Sequence, residues 1–462
     1  MKGLTFISIL AAMLAACSPQ VDTHVSPTVA TFDRTKTDIN IIRWINEHHA
    51  AGHDIVFSNP LDTAAMEFVM LALRLGEIDS DYVDAYHGPQ KWRSEVMRKV
   101  NGDELAEQID EFRNRLSLLS VSTEENIRKS QLSKLARAMA VRLDVVLGKA
   151  VPFDQEVSDI YDVRPPRYDF DKYDEVLEHI DKLLPGEGST AARVTAFRNS
   201  LAIPKEKLRP IFDRAIQECK LRTQRYFNLP RTEKFTLEFV TGKSWSGYNY
   251  YQGNFESLIQ INTDFPIIID RAVDLGCHEG YPGHHVWNLF IEQELVGKRG
   301  WIEYSVNPLF GPFGPLAEGA GNYGIELAFP DNEKIKFEQD VLYPMANLDP
   351  KKAEKLEKYN RLKSQLSHAT NEVSRLYLDG EITKAEAITL MQKYYLSSRE
   401  KTEQRIRFVE KYRGYVINYN IGKDIVEAYV KAAGDSRESQ WAAFRDMLTI
   451  PLSPSDIDTK TD

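Results

Sequence analysis

The sequence predicts a mainly helical fold of the α+β kind: a large helical body with one small antiparallel sheet beside the helix that carries its reactive residues. Three observations predict it. Long stretches place apolar residues at helical spacing and stop at glycine. A single segment, 235–262, is instead aromatic, β-branched and punctuated by glycine. The densest cluster of titratable side chains follows directly downstream of that segment.

Bulk composition agrees with such a body. At 462 residues, 42% hydrophobic and 27% charged, the chain can bury a sizeable core and is neither disordered, collagenous nor disulfide-rich. Lys+Arg 58 against Asp+Glu 68 leaves a net charge of −10, which argues against a nucleic-acid partner, since phosphate binding calls for a basic excess.

The first element is an address. Lys2 precedes an apolar run from Leu4 to Ala16. Thirteen helical residues span roughly 20 Å, short of a bilayer core of about 30 Å, so the run reads as a secretory signal core. It ends in Leu14-Ala15-Ala16-Cys17, which resembles the bacterial lipoprotein box. That resemblance implies removal of residues 1–16, lipidation of Cys17 and anchorage in the cell envelope. Ser18 after the Cys implies the outer membrane, facing the periplasm. Residues 17–30 read as a tether. No later segment approaches 18 consecutive apolar residues.

Beyond the tether, residues 31–230 read as a helical N-terminal region and 231–455 as the region that carries the chemistry. Asp62 to Leu75 starts on an Asp cap and stops at Gly76, and 125–147 stops at Gly148. Further helices are expected near 103–119, 170–184, 187–201 and 204–226. Turn signals at Thr241-Gly242 and Gly253-Asn254 divide the 235–262 segment into short strands. A long helix is expected from about Ile267. Thr383 to Glu386 forms a capping box ahead of another helix. Three cysteines are present. With Cys17 assigned to lipid, an oxidising compartment permits a bridge between Cys219 and Cys277, and the sequence leaves their pairing open.

The cluster is Cys277-His278-Glu279-Gly280-Tyr281-Pro282-Gly283-His284-His285, which packs three of the ten histidines beside a Glu. In the HExxH pattern, histidines four apart share a helix face about 6 Å apart along the axis and reach one metal ion. Here Pro282 occupies the fourth position. On a straight helix His284 would point roughly 240° away and His285 would lie about 10.5 Å along the axis, too far for two metal–nitrogen bonds of about 2.1 Å. Pro282-Gly283 resolves this as a two-residue insertion that breaks the helix. It puts His284 in the second ligand position, with His285 as the alternative. Forty residues on (318 − 278 = 40), Glu318 lies in the glycine-rich run LAEGAGNYG. A carboxylate in an apolar segment needs a partner, a metal ion would be one, and small neighbours would let the two helices approach. The plainer alternative is a Glu at a helix N-terminus.

HEGYPGHHV, the start of EGAGNYGIE and the late RFVEKYRGYVINYNIG resemble a bacterial family of domains of unknown function. Its members carry HExxPGHH, an EGWA-like segment and a C-terminal Tyr-x-x-Gly, and are regarded as zinc metallopeptidase-like proteins of the gluzincin type. The resemblance covers about residues 230–430 and, more loosely, the N-terminal half through LRLGEIDSDYVDAYHGP. It departs at Ala320, where the family commonly has Trp. It implies a helical zincin-like fold in which His278, His284 and Glu318 hold Zn²⁺ and leave a position for water. Glu279 would then be the general base, and Tyr419 the oxyanion donor, with His285 second for that role. Tyr419 as a packed aromatic is the plainer alternative. The strand Leu258 to Asn262 is expected to pair with an extended peptide substrate. The implied activity is peptide-bond hydrolysis, against two alternatives: a zinc hydrolase of another amide or ester, and a non-catalytic peptide-binding lipoprotein.

Other histidines carry less. His49 and His53 have the i, i+4 spacing but lack a following Glu and read as a helix end. His87 and His368 have no partner at ligand spacing and read as structural. Arg405, Arg407 and Arg413 lie in a charged helix from which a substrate carboxylate could be met.

Overall fold

The computed structural model describes residues 29–32, 41–96 and 99–458. The signal segment, Cys17 and the tether as far as residue 28 lie outside them; Val29 and Ala30, the end of the expected tether, begin a strand. The chain runs β1 (Val29–Phe32), α1 (Ile41–Ala50), β2 (Asp54–Phe57), α2 (Pro60–Ile78), β3 (Val83–Tyr86), α3 (Gln90–Val96), α4 (Gly102–Leu118), α5 (Asn126–Val146), α6 (Phe153–Tyr161), α7 (Asp171–Leu183), α8 (Thr190–Asn199) and α9 (Leu208–Thr223). It continues with β4 (Lys234–Val240), β5 (Gly247–Gly253), β6 (Glu256–Asn262), α10 (Arg271–Glu279), α11 (His284–Phe290), a π-helical segment Ile291–Lys298, β7 (Val306–Pro308) and α12 (Gly314–Ala328). The last elements are α13 (Glu333–Phe337), α14 (Tyr343–Ala346), α15 (Ala353–Leu378), α16 (Lys384–Tyr395), α17 (Arg399–Tyr412), α18 (Ile421–Ala432), α19 (Arg437–Thr449) and α20 (Pro454–Asp458).

The fold is mainly helical with small sheets, as its periodicities predict. The Thr383–Glu386 capping box closes in both directions at the start of α16. No helix among the described residues is long and apolar enough to cross a membrane.

The sheet beside α10 differs from expectation in one pair. β5 and β6 are antiparallel, but β4 runs parallel to β6, and the strand order is β4-β6-β5. The physical reason is connection length. Asn254 and Phe255, with φ of 54° and 62°, make the tight turn that joins β5 to β6, whereas residues 241–246 are long enough to let β6 enter between β4 and β5. Leu258 to Asn262 is therefore in a central strand, with both edges paired. The expectation that it receives a peptide is corrected, because its backbone donors and acceptors are already used.

The two regions divided near residue 230 share one hydrophobic core. β3 pairs with β7 across that boundary. Arg128 of α5, fully buried, donates to both oxygens of Glu303 at 2.6 and 2.8 Å and pairs with Asp62 of α2. Cys219 of α9 and Cys277 of α10 form a buried disulfide with Cα atoms 5.5 Å apart, so the pairing left open above is made. A Cβ at Gly276 would lie 2.9 Å from Ile216 Cγ1, so glycine there lets α10 lie against α9.

Candidate metal centre

α10 was expected to be long and to start near Ile267; it spans Arg271–Glu279 and stops at the Gly280–Gly283 break. The Tyr281–Pro282 bond is cis. The turn is tight enough that a Cβ on Gly283 would sit 1.8 Å from the carbonyl oxygen of His278; only glycine fits. His284 then opens α11 as its first residue, and its ring stands edge-on to that of His278, with centroids 4.6 Å apart. The broken helix thus does what the uninterrupted one could not.

Glu318 reaches the same point from α12. Its Oε2 lies 3.2 Å from His278 Nε2 and 3.7 Å from His284 Nε2. All three candidate ligand atoms fall within 4.8 Å of one another, and among the described residues this is the one group of three that could hold a metal ion. The small residues of α12 set the approach. A Cβ at Gly321 would lie 2.7 Å from His278 Nδ1, one at Gly324 would lie 2.8 Å from Pro282 Cγ, and one at Gly319 would lie 2.2 Å from the carbonyl oxygen of Gly422 on α18.

Three features fit a metal. First, Glu318 Oε2 is buried and accepts no hydrogen bond, although a buried carboxylate oxygen ordinarily has a partner. Second, the His278 tautomer is fixed. Asn322 Nδ2 donates to the Tyr419 carbonyl at 2.8 Å, which turns Oδ1 toward His278 Nδ1 at 3.0 Å. Nδ1 therefore carries the proton, and the Nε2 lone pair faces Glu318. Third, the Glu318 carboxylate draws positive charge to this point. Without an ion, only imidazoles protonated at Nε2 could meet that charge: they would hold the Glu318 carboxyl far below the usual range against its burial, and Glu318 would in turn raise His278. A divalent cation supplies the same charge. Tyr415 Oη donates to Glu318 Oε1 at 2.5 Å and leaves Oε2 without a hydrogen bond.

Glu279, 5% exposed, follows His278. Among the described residues no group hydrogen-bonds its carboxylate, and burial raises its pKa, favouring a group that accepts a proton. A Cβ on Gly247 would lie 2.9 Å from Glu279 Oε1, so the edge strand β5 borders the carboxylate. Tyr419 is half-buried; burial, Glu318 and Glu279 push its hydroxyl well above the usual range, which keeps it a donor.

His285 is corrected as an oxyanion donor. It is fully buried, its Nδ1 is 2.8 Å from Ser257 Oγ and its Nε2 is 3.0 Å from Glu233 Oε2. As the second residue of α11 it points away from His284, and both of its nitrogens are engaged. The group near Glu318 contains His284 and not His285.

The minor histidines also have places. His49 Nε2 accepts from Trp92 Nε1 at 3.1 Å, and His368 Nε2 is 2.7 Å from Asp424. Arg413 is held by Glu156 at 2.6 Å. Sequence reasoning missed Asn322, Tyr415, Glu233 and Asp84. Asn322 had a signal: it lies one helical turn after Glu318, on the same face. Asp84 of β3 takes hydrogen bonds from Tyr248 and Asn307. Burial, Glu318 and Glu279 push its pKa up to about 7 against His284, so it stands in the field of the cluster.

No protein-family model and no curated protein matches the chain. Solved structures similar at low identity include the following two. One is a protein from Colwellia psychrerythraea described as a lipoprotein, with 14% identity, TM-score 0.48, and coverage of 78% of this chain and 66% of that one. The other is an M32 carboxypeptidase from Deinococcus radiodurans R1, with 12% identity, TM-score 0.40, and coverage of 84% of this chain and 89% of that one. The chain thus spans about two thirds of the length of the Colwellia protein.

Proposed function

We propose that this protein is a zinc-dependent peptidase that hydrolyses peptide bonds of peptides at the bacterial cell envelope. The observation that carries the reading is the buried, unpartnered Glu318 Oε2 facing two imidazole Nε2 atoms, with an uncommitted carboxylate, Glu279, beside them. His278, His284 and Glu318 would hold the ion. A bound zinc ion polarises a carbonyl and lowers the pKa of a water molecule toward neutrality. Glu279 takes the proton from the attacking water at its carboxylate and later delivers it to the leaving amine. Tyr419, whose hydroxyl makes no hydrogen bond among the described residues, donates to the developing oxyanion, a role that Tyr415 cannot take while bound to Glu318. The substrate backbone lies along β5, the sheet edge that touches Glu279. Anchorage follows from the Leu14–Cys17 box, with lipid on Cys17 as the membrane contact.

Glu279→Gln is the test. We expect loss of at least 100-fold in turnover, within the range for a general base, with zinc content unchanged and cleavage read on a peptide library by mass spectrometry. Undiminished activity in that variant refutes the base. Cleavage of esters or other amides in place of peptides moves the reading to a different hydrolase, and peptide binding without cleavage moves it to a binding lipoprotein.

A further inference from the structure

Two of the three candidate ligands are held from one short segment, the 3₁₀ turn Arg413–Tyr419 that follows α17. Tyr415 Oη donates to Glu318 Oε1, and the Tyr419 carbonyl takes the Asn322 hydrogen bond that turns Oδ1 toward His278. Whatever fixes this segment therefore bears on the metal centre.

Its two ends are fixed differently. At the far end Asn420 Oδ1 accepts from Asn371 Nδ2 of α15 at 2.8 Å. Directly after it α18 packs against α12 so closely that a Cβ on Gly422 would lie 2.1 Å from the Pro315 carbonyl oxygen. The near end is strained. Arg413 has φ 48° and ψ −120°, angles that glycine ordinarily supplies at the first central position of a II′ turn. A side chain there crowds its own backbone, and such a conformation persists only where its surroundings impose it.

The imposing group is a carboxylate from the N-terminal half of the chain. Glu156 of α6 is 1% exposed and lies 258 residues before Gly414. Its Oε2 accepts from Arg413 Nε at 2.6 Å, and its Oε1 accepts from the Gly414 backbone N–H at 3.0 Å. Arg413 also donates to the Val151 carbonyl at 3.0 Å. Gly414 is pressed against the same helix: a Cβ on it would meet Val157 Cγ2 at 3.0 Å and Tyr161 Cε2 at 3.2 Å. The Tyr161 ring stands edge-on to that of Tyr415, with centroids 6.3 Å apart. Tyr415 is the next residue, so the backbone that Glu156 holds is the backbone from which the donor to Glu318 springs.

We infer that Glu156 is a positioning residue of the metal centre: it holds Arg413 and Gly414 in the strained turn, and through the Tyr415 hydroxyl it orients the Glu318 carboxylate. This rests on the metal ligands named under the proposed function and not on the reaction. It makes α6 part of the centre's support, although no residue of α6 touches a ligand.

The experiment is zinc titration against a chromophoric chelator for wild type, Glu156→Gln, Tyr415→Phe, Glu156→Gln/Tyr415→Phe and Glu156→Gln/Arg413→Gly. Glu156→Gln keeps the size of the side chain and is expected to weaken zinc binding at least fivefold. In the Tyr415→Phe background the same substitution is expected to cost less than twofold, because the contact through which it acts is already gone. Arg413→Gly relieves the backbone and removes the guanidinium that has lost its partner, and is expected to return Glu156→Gln to within twofold of wild type. A carboxylate that only stabilises the fold would give equal losses in both backgrounds, and that result overturns the proposal, as does wild-type affinity in Glu156→Gln. Should Glu156→Gln not fold, Glu156→Gln/Arg413→Gly carries the test. A double variant that also fails to fold, or that binds zinc more than fivefold more weakly than wild type, overturns the proposal. Zinc affinities that follow the expected pattern in a protein that cuts no peptide leave the positioning role standing and remove the peptidase reading. Peptide cleavage that depends on Glu279, together with zinc binding indifferent to Glu156, removes the positioning role alone.

Discussion

Gly321→Ala places one methyl group directly against the proposed ligand His278. The added carbon would lie 2.7 Å from Nδ1, 2.8 Å from Cε1 and 3.1 Å from Cγ of that ring. Ordinary carbon contacts begin at about 3.5 Å, so the imidazole must retreat by roughly 0.8 Å. Metal–ligand distances tolerate about 0.2 Å, and the same retreat pulls Nδ1 away from Asn322 Oδ1, now 3.0 Å distant. Loss of a supporting contact of this kind typically costs 10- to 100-fold in metal affinity. The helix itself should survive, because alanine is favoured over glycine in a helix by about 1 kcal/mol, which offsets part of an overpacking cost of about 1–3 kcal/mol. We therefore expect zinc affinity to fall at least tenfold in a competition titration against a chromophoric chelator, while the metal-free protein melts within a few degrees of wild type. An affinity within twofold of wild type would show that His278 is not held against α12 as described.

Three further outcomes are expected. Tyr415→Phe removes the donor to Glu318 Oε1 and should weaken zinc binding on the order of tenfold, read in the same competition assay. Cys219→Ser opens a loop closed over 58 residues and should lower unfolding free energy by about 4 kcal/mol in a denaturant titration; a loss below 1 kcal/mol would mean that the cross-link constrains little. Glu233 gives a pH test. Burial would raise its carboxyl, but hydrogen bonds from His285, Lys220 and Tyr281 outweigh it and hold the pKa at about 2, below the usual 4.5. A depressed carboxylate pKa contributes stability that is present above about pH 4.5 and is lost as pH falls toward 2, here roughly 3 kcal/mol at most. Glu233→Gln should remove that part of the acid dependence, and an unchanged profile between pH 5 and 2 counts against it.

Much of the site was legible because it depends on local chemistry. Pro282 forbids an unbroken helix whatever surrounds it, and glycine at 283 permits the close turn, so the need to bring His284 rather than a residue at i+4 to His278 can be read from seven letters. The glycines after Glu318 likewise announce a close helix contact. Which surfaces they meet, the His278 ring for Gly321, Pro282 for Gly324 and the Gly422 carbonyl for Gly319, requires the packed molecule.

By itself the sequence determined the helical character, the position of the one region of adjacent strands, the break after Glu279 and the residue types around it, since each follows from backbone preference within a few residues. Tertiary structure decided the rest. It turned His285 toward Glu233 and Ser257, paired Cys219 with Cys277, placed β6 between β4 and β5, and brought Tyr415 from nearly one hundred positions away onto Glu318. Side-chain direction after a helix break, and contacts between distant segments, are set by which surfaces pack together, and that choice minimises the free energy of the whole core rather than of any short stretch of chain.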